Sequence, residues 1–257
     1  MRKEMHCFYT EKENISDTQV RLTGTDVNHI KNALRMAEGE KITVCDGEGL
    51  FYDCVISGVS AERITADISE RKEAQTELGV RMTLFQGVPK KDKMELIIQK
   101  AVELGVDEVI PVATRFCVAK IEDGKKEKKK LERWQAISEA AAKQSGRGRI
   151  PRIKPVMTYK EALKLGSQME KSMIPYERAE GMKAFQKTIR DCSQLMPGSR
   201  IGIFIGPEGG FDEKEIEAAL AAGVQPVSLG KRILRTETAG LCVLSALMLE
   251  LEAASEQ

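Results

Sequence analysis

From residue 81 onward short apolar runs alternate with amphipathic stretches of helical period, and no other feature of the chain restricts its fold as much. Residues 82–85, 109–112, 173–176, 201–206 and 227–229 read as strands, each too short for a helix and bounded by turn residues. Between them, Asp92 with Glu95, Thr158 with Glu161 and Asp212 with Glu215 have the spacing of a capping box, which opens a helix by satisfying its first free N–H groups. Met94, Ile97, Ala101 and Leu104 share one helical face, and Gly105 and Gly223 stand where helices end. Further helices are expected over about 126–144, which carries the lone tryptophan Trp134, and over about 181–192. Strand followed by helix, repeated, predicts a largely parallel α/β sheet.

Residues 201–239 hold the expected site. The run Ile201-Gly202-Ile203-Phe204-Ile205-Gly206 breaks on Pro207-Glu208-Gly209-Gly210, which supplies one fixed φ and two residues free to take positive φ. After the strand at 227–229, Gly230-Lys231-Arg232-Ile233-Leu234-Arg235 forms a second loop, and Thr236 can cap the last helix. Two loops that leave the carboxyl ends of strands and feed helices mark where open α/β sheets bind ligands. Gly206-Pro207-Glu208-Gly209-Gly210 could be a tight turn and nothing more. The second loop argues otherwise, because Arg232, Arg235 and Glu237 crowd a turn that structure alone would fill with small polar residues.

The first 70 residues have a different pattern. Residues 20–22, 41–44, 51–56 and 63–68 alternate with a period near two, and Asp46-Gly47-Glu48-Gly49 suits a hairpin. One helix, capped by Asp26, is expected to run through Ile30 and Leu34 to Gly39. Short strands with one helix suggest a small barrel of OB or PUA character. Residues 69–80 are polar and aperiodic, so the expected division is a first domain over 1–70, a linker over 71–80 and a second domain over 81–257.

At 257 residues, 42% hydrophobic and 31% charged, the chain is an ordinary globular protein with ample core. Its net charge of +1 gives no global attraction to nucleic acid, so any basic surface is local. Arg2 and Lys3 are followed by His6, Glu11 and Glu13 rather than an apolar leader, and no window approaches the roughly 18 apolar residues of a membrane span. Six cysteines without a C-x-x-C pair read as reduced thiols, and the expected location is cytoplasmic.

No phosphate-binding loop, no G-x-G-x-x-G after a strand and no G-x-S-x-G elbow is present. The two histidines both lie in the amino-terminal part, so a histidine triad or a metal site is not expected. What remains is metal-free chemistry by backbone loops and arginines. Lys125-Lys126-Glu127-Lys128-Lys129-Lys130 reads as a solvated helix start. Ser145-Gly146-Arg147-Gly148-Arg149 is a better RNA candidate, since arginines on a glycine loop can fork onto phosphates or stack on bases. Arg115 and Lys90-Lys91-Asp92-Lys93 belong to loops expected at the same sheet edge; His29 by default is a surface or capping residue.

These blocks together resemble a known family. Gly206-Pro207-Glu208-Gly209-Gly210-Phe211 followed by Leu229-Gly230-x-Arg232-Ile233-Leu234-Arg235-x-Glu237-Thr238-Ala239 is similar to the signature of the bacterial 16S ribosomal RNA uridine-N3 methyltransferases, ribosomal RNA small subunit methyltransferase E, of the SPOUT superfamily. Lys93-Met94-Glu95, residues 99–106, Lys143-Gln144-Ser145-x-Arg147 and His29 with Leu34-Arg35 fit the same pattern, so the resemblance covers the whole chain. It implies a PUA-like amino-terminal domain and a SPOUT α/β domain whose carboxy-terminal segment forms a deep trefoil knot. It also implies S-adenosyl-L-methionine as cofactor, a homodimer, and 16S rRNA or the small ribosomal subunit as partner. On that basis Tyr176, Glu177, Gly206, Pro207, Glu208, Gly209, Gly210, Leu229, Gly230, Ile233 and Leu234 line the cofactor site. His29, Arg35, Lys93, Arg115, Arg147 and Arg149 are the expected RNA contacts.

Methyl transfer to uridine N3 needs in-line positioning, removal of the N3 proton and stabilisation of the anion spread over O2 and O4. Arg235 is the expected anion stabiliser, with Arg147 reaching from the substrate side or from another subunit. Glu208 and Glu237 both remain candidates for the base or for orienting that arginine, and a salt bridge from Arg235 to either is its alternative role. A methyltransferase with a different target atom would keep both loops; a non-catalytic RNA-binding module would keep the basic loops but tolerate loss of residues 229–239.

Overall fold

The computed structural model describes residues 6–117, 124–179 and 181–256, so Arg2 and Lys3 lie outside the described residues. The chain forms two compact units, one of Met1–Glu77 with Ala142–Ile150, the other of Leu78–Ala141 with Pro151–Gln257.

In the first unit, strands β1 (Cys7–Tyr9), β2 (Gln19–Thr23), β3 (Lys41–Cys45), β4 (Leu50–Val59) and β5 (Arg63–Glu73) make one sheet in the order β1-β3-β4-β5-β2. Only β1 and β3 run parallel. Alternate residues Val20 and Leu22, Ile42 and Val44, Cys54 and Ile56, Ile64 and Ala66 point into one core, as a period of two requires. The expected hairpin joins β3 to β4, with Asp46 Oδ1 accepting the N–H groups of Glu48, Gly49 and Leu50. The expected helix is cut short. Its cap is Gly24, with φ +68°, in place of Asp26; α1 (Thr25–Asn28) passes into a π turn over His29–Ala33, and Arg35 ends it in the left-handed region at φ +53°.

Two boundaries are corrected. β5 continues through Glu73, because its last residues still pair with β4 up to Leu50 opposite Glu73, so the polar stretch from 69 is partly strand. Residues 142–150, expected in the second domain, belong to the first unit.

The second unit holds β6 (Arg81–Gly87), β7 (Val106–Ala113), β8 (Arg152–Ile153), β9 (Met157–Thr158), β10 (Lys171–Pro175), β11 (Arg200–Ile205) and β12 (Gln225–Val227). Their order is β12-β10-β11-β6-β7-β8, with β9 also on β7, and every pair is parallel. The helices are α2 (Lys93–Glu103), α3 (Gly124–Ser145), α4 (Tyr159–Gly166), α5 (Met182–Ser193), α6 (Glu213–Ala221) and α7 (Thr236–Ser255). Successive residues of β11 serve opposite faces: Phe204 packs on Gly166 of α4 and stacks on Phe85 at 4.3 Å, whereas Ile205 meets Gly240 of α7. The capping boxes at Thr158 and Asp212 form as expected. Asp92 makes no side-chain cap; the Glu95 carboxylate goes to Arg133 instead, at 2.8 Å.

α7 corrects the expectation about membrane spans, since by length and composition it is apolar enough to cross a bilayer. Its inner face, with Val243, Leu244, Leu247 and Leu251 buried, packs against α2, α5 and β11, and its other face is largely uncovered in the single chain.

Candidate cofactor and catalytic site

Because the sheet is parallel, the loops after β10, β11 and β12 all leave its carboxyl edge, and together they line a cavity of about 880 Å3. Every residue expected at the cofactor site lies on it: Tyr176 and Glu177 after β10, the run from Gly206 to Gly210 after β11, and Leu229, Gly230, Ile233 and Leu234 after β12. β12 ends at Val227, earlier than expected, so Ser228 and Leu229 are part of the loop and available to the cavity wall.

The loop after β11 is a closed turn, with Gly210 N–H donating to the Pro207 carbonyl at 2.9 Å. Gly210 has φ +70°, and a Cβ on Gly206 would lie 2.9 Å from the Gly210 carbonyl carbon, so both positions require glycine. Thr236 fastens this turn to the helix that follows the other loop. Its hydroxyl donates to the Gly206 carbonyl at 2.6 Å and accepts from Gln86 Nε2 at 2.9 Å. Thr236 therefore does not cap α7 with its side chain; the cap position is Arg235. Gln86, fully buried at the end of the apolar pair Leu84-Phe85, is a site residue that sequence reasoning misses, and a large polar residue next to such a pair is the available signal.

Beside the cavity three charges meet. Lys93 Nζ lies 3.3 Å from Glu208 Oε1 and 3.1 Å from Glu237 Oε2, with side chains only 28%, 29% and 16% exposed. Glu208 also accepts the Lys90 N–H. Burial alone would raise the Glu208 pKa, but its own N–H, that of Lys90 and the Lys93 ammonium hold it below the usual carboxylate value. Glu237 is lowered as well, first by its own N–H at the start of α7, against burial, and then by Lys93 and Arg235. Lys93, expected to touch RNA, is thus tied up between the two glutamates. Arg235 is exposed on the cavity and makes no ion pair among the described residues, so the expected alternative of a bridge to Glu208 or Glu237 is not formed.

Arg115 is held at the same sheet edge, its guanidinium 3.0 Å from Asp212 and its N–H on Glu215, with most of the side chain open to solvent. In the first unit, His29 and Arg35 are exposed, and His29 sits edge-on to Phe8. Arg147 is a correction. It is 3% exposed, its Nη2 lies 2.6 Å from Glu77 Oε2, and it is absent from the cavity wall, so it offers neither an RNA contact nor an anion stabiliser there. Glu77 also accepts the N–H groups of Gly148 and Arg149, and Arg149 is half-buried with Nε on the Glu48 carbonyl. The glycine loop is fixed, not flexible.

Comparison with known proteins gives the class as an RNA methyltransferase with a PUA domain. The family described as an RNA methyltransferase domain matches residues 76–248, and the RNA methyltransferase PUA domain matches residues 22–69. The chain is 37% identical over 231 residues to ribosomal RNA small subunit methyltransferase E of Bacillus subtilis (strain 168), covering 90% of each chain. It is 36% identical to the protein of that name from Mesomycoplasma hyopneumoniae (strain 232), over 87% of this chain and 91% of the other. A crystal structure of ribosomal RNA small subunit methyltransferase E from Neisseria gonorrhoeae, bound to S-adenosyl methionine, superposes with a TM-score of 0.78 at 34% identity, covering 95% of this chain and 97% of that one. The chain belongs to the ribosomal RNA small subunit methyltransferase E family.

Proposed function

We propose that the protein methylates N3 of a uridine in 16S rRNA of the small ribosomal subunit, using S-adenosylmethionine held in the cavity at the ends of β10, β11 and β12. The observation that carries this is the joining of three strand-end loops around one cavity, in a chain that aligns along nearly its whole length with a relative bound to that cofactor. The residues suit the group. Leu229, Ile233 and Leu234 offer apolar wall to an adenine, and Glu177 and Glu208 offer negative charge to a cationic ligand. When bound, S-adenosylmethionine supplies an electrophilic methyl group. Arg235 faces the cavity from the start of α7, where the helix end already favours anions, and its guanidinium is positioned to stabilise the uridine anion over O2 and O4. Glu208 and Glu237, both held ionised by backbone N–H groups and by Lys93, are weak proton acceptors for that reason; their better role is to set the loops from which Arg235 works.

Arg115, His29, Arg35 and Arg149 are the side chains proposed to meet RNA. The segment from β11 to α7 is proposed to thread as a trefoil knot, as the family resemblance implies. The outer face of α7, with Cys242 and Leu249 exposed, is proposed to pair two copies of the chain. A cytoplasmic location follows from the proposed substrate. The test is to map modified nucleotides in 16S rRNA from cells with and without the gene, then restore the gene. One N3-methyluridine should disappear and return; an unchanged map would overturn the proposal.

A further inference from the structure

We infer that Lys93 is a positioning residue, whose ammonium sets the spacing between the loop after β11 and the start of α7 and so holds the cavity in its ligand-binding shape. This rests on the reading that S-adenosylmethionine occupies the cavity. Lys93 is the first residue of α2, where the helix dipole disfavours a cation, so helix formation gives no reason for a lysine there. Two carboxylates compensate it, Glu208 from the loop after β11 and Glu237 from the first turn of α7. Glu208 also takes the Lys90 N–H, so the connection between β6 and α2 grips the β11 loop twice. Arg235 stands two residues before Glu237, and whatever fixes Glu237 fixes the segment that presents Arg235.

Without the ammonium, Glu208 and Glu237 face one partly buried gap. Among the described residues the other charge that acts on them is Arg235, which is exposed and lowers Glu237, while Lys90 reaches Glu208 through its backbone N–H. Two carboxylates sharing a gap without a cation raise each other's proton affinity. At low pH one of them takes up a proton and the repulsion is relieved; as pH rises through the raised value both ionise and the loops are pushed apart. Affinity for the cofactor then depends on pH in a way that loss of packing would not produce.

The experiment is calorimetric titration of S-adenosylmethionine into the full-length protein and its Lys93→Met, Lys93→Arg and Lys93→Met/Glu237→Gln variants, at about pH 5.5 and about pH 8.5. Wild-type affinity should be nearly the same at both. Lys93→Met should bind at least about tenfold more weakly at the higher pH and regain most of that at the lower. Lys93→Arg, which keeps the charge, and the double variant, which removes one carboxylate, should bind within about threefold of wild type throughout. An equal loss at both pH values, or a double variant no better than Lys93→Met, would overturn the inference, as would Lys93→Met binding like wild type. If Lys93→Met does not fold, the other two variants decide: affinity near wild type in both supports the assignment, and a tenfold loss in both rejects it. Failure of the wild-type protein to bind S-adenosylmethionine would instead defeat the functional reading.

Discussion

Arg235 and Thr236 are neighbours with separable duties, and each gives a prediction. Arg235→Lys keeps the charge but loses the two-pronged geometry, so turnover should fall at least about tenfold, roughly 1.4 kcal/mol, with cofactor affinity little changed. If affinity falls in step with turnover, Arg235 holds the loop and does not act on the uridine. Thr236→Val is close to isosteric but takes the hydroxyl donor from the Gly206 carbonyl and leaves Gln86 Nε2 with the Gly87 carbonyl alone, in a buried place. Its cost in chemical denaturation should be about 1–3 kcal/mol, and cofactor affinity should drop because the β11 loop loses its tie to α7. Glu208 and Glu237 titrate below the ordinary carboxylate value near 4.5. Groups shifted that way stabilise the fold above their unfolded pKa and lose the contribution as pH falls through the folded one. Cofactor affinity should therefore hold steady from neutrality down to about pH 5 and fail only in stronger acid, where calorimetry will show the drop.

At the scale of elements, Glu77 makes the sharpest case. Glu77→Gln would remove the carboxylate that pairs with the buried Arg147 and weaken the grip on Gly148 and Arg149, so stability should fall by about 3–5 kcal/mol, seen as a lower denaturant midpoint. The same pair shows where sequence reasoning stops. The strands β6, β7, β10 and β11 are legible because their apolar runs are local, whereas the two-residue strands β8 and β9 leave no such run and β12 lies two residues earlier than its apolar run suggests; the cavity loops are legible because strand, glycine turn and capping residue lie next to one another. Thr158 and Asp212 cap as their spacing suggests, whereas Asp92 has the same spacing to Glu95 and does not cap, because the distant Arg133 takes the Glu95 carboxylate. Arg147 was misread because its partner is 70 residues away, and a glycine on each side looks like mobility when only local information counts. The pairing of Lys93 is illegible for the same reason: Glu208 and Glu237 are more than a hundred residues away in the chain. The short helix after Gly24 failed for a different cause, because Asp26 fits a cap but the backbone at Gly24, with positive φ, starts the turn two residues earlier.

For the whole molecule, the outer face of α7 predicts association. Light scattering at micromolar concentration should report twice the mass of one chain, and Leu249→Glu, at a position 63% exposed in the single chain, should shift the population toward monomer without unfolding it. The division of the chain into units has a further result that concerns synthesis. The first unit is not a contiguous stretch: it needs Ala142–Ile150, which follow most of α3. A ribosome making the chain releases residues 1–77 well before those nine, and at about 5–20 residues per second the early unit waits several seconds for its last piece. During that time the Arg147 partner Glu77 and the Tyr9 hydroxyl, which binds the Arg147 carbonyl, have nothing to close on. A fragment ending near residue 80 lacks those partners for good, and the amino-terminal unit has all of its residues only once most of α3 has been made.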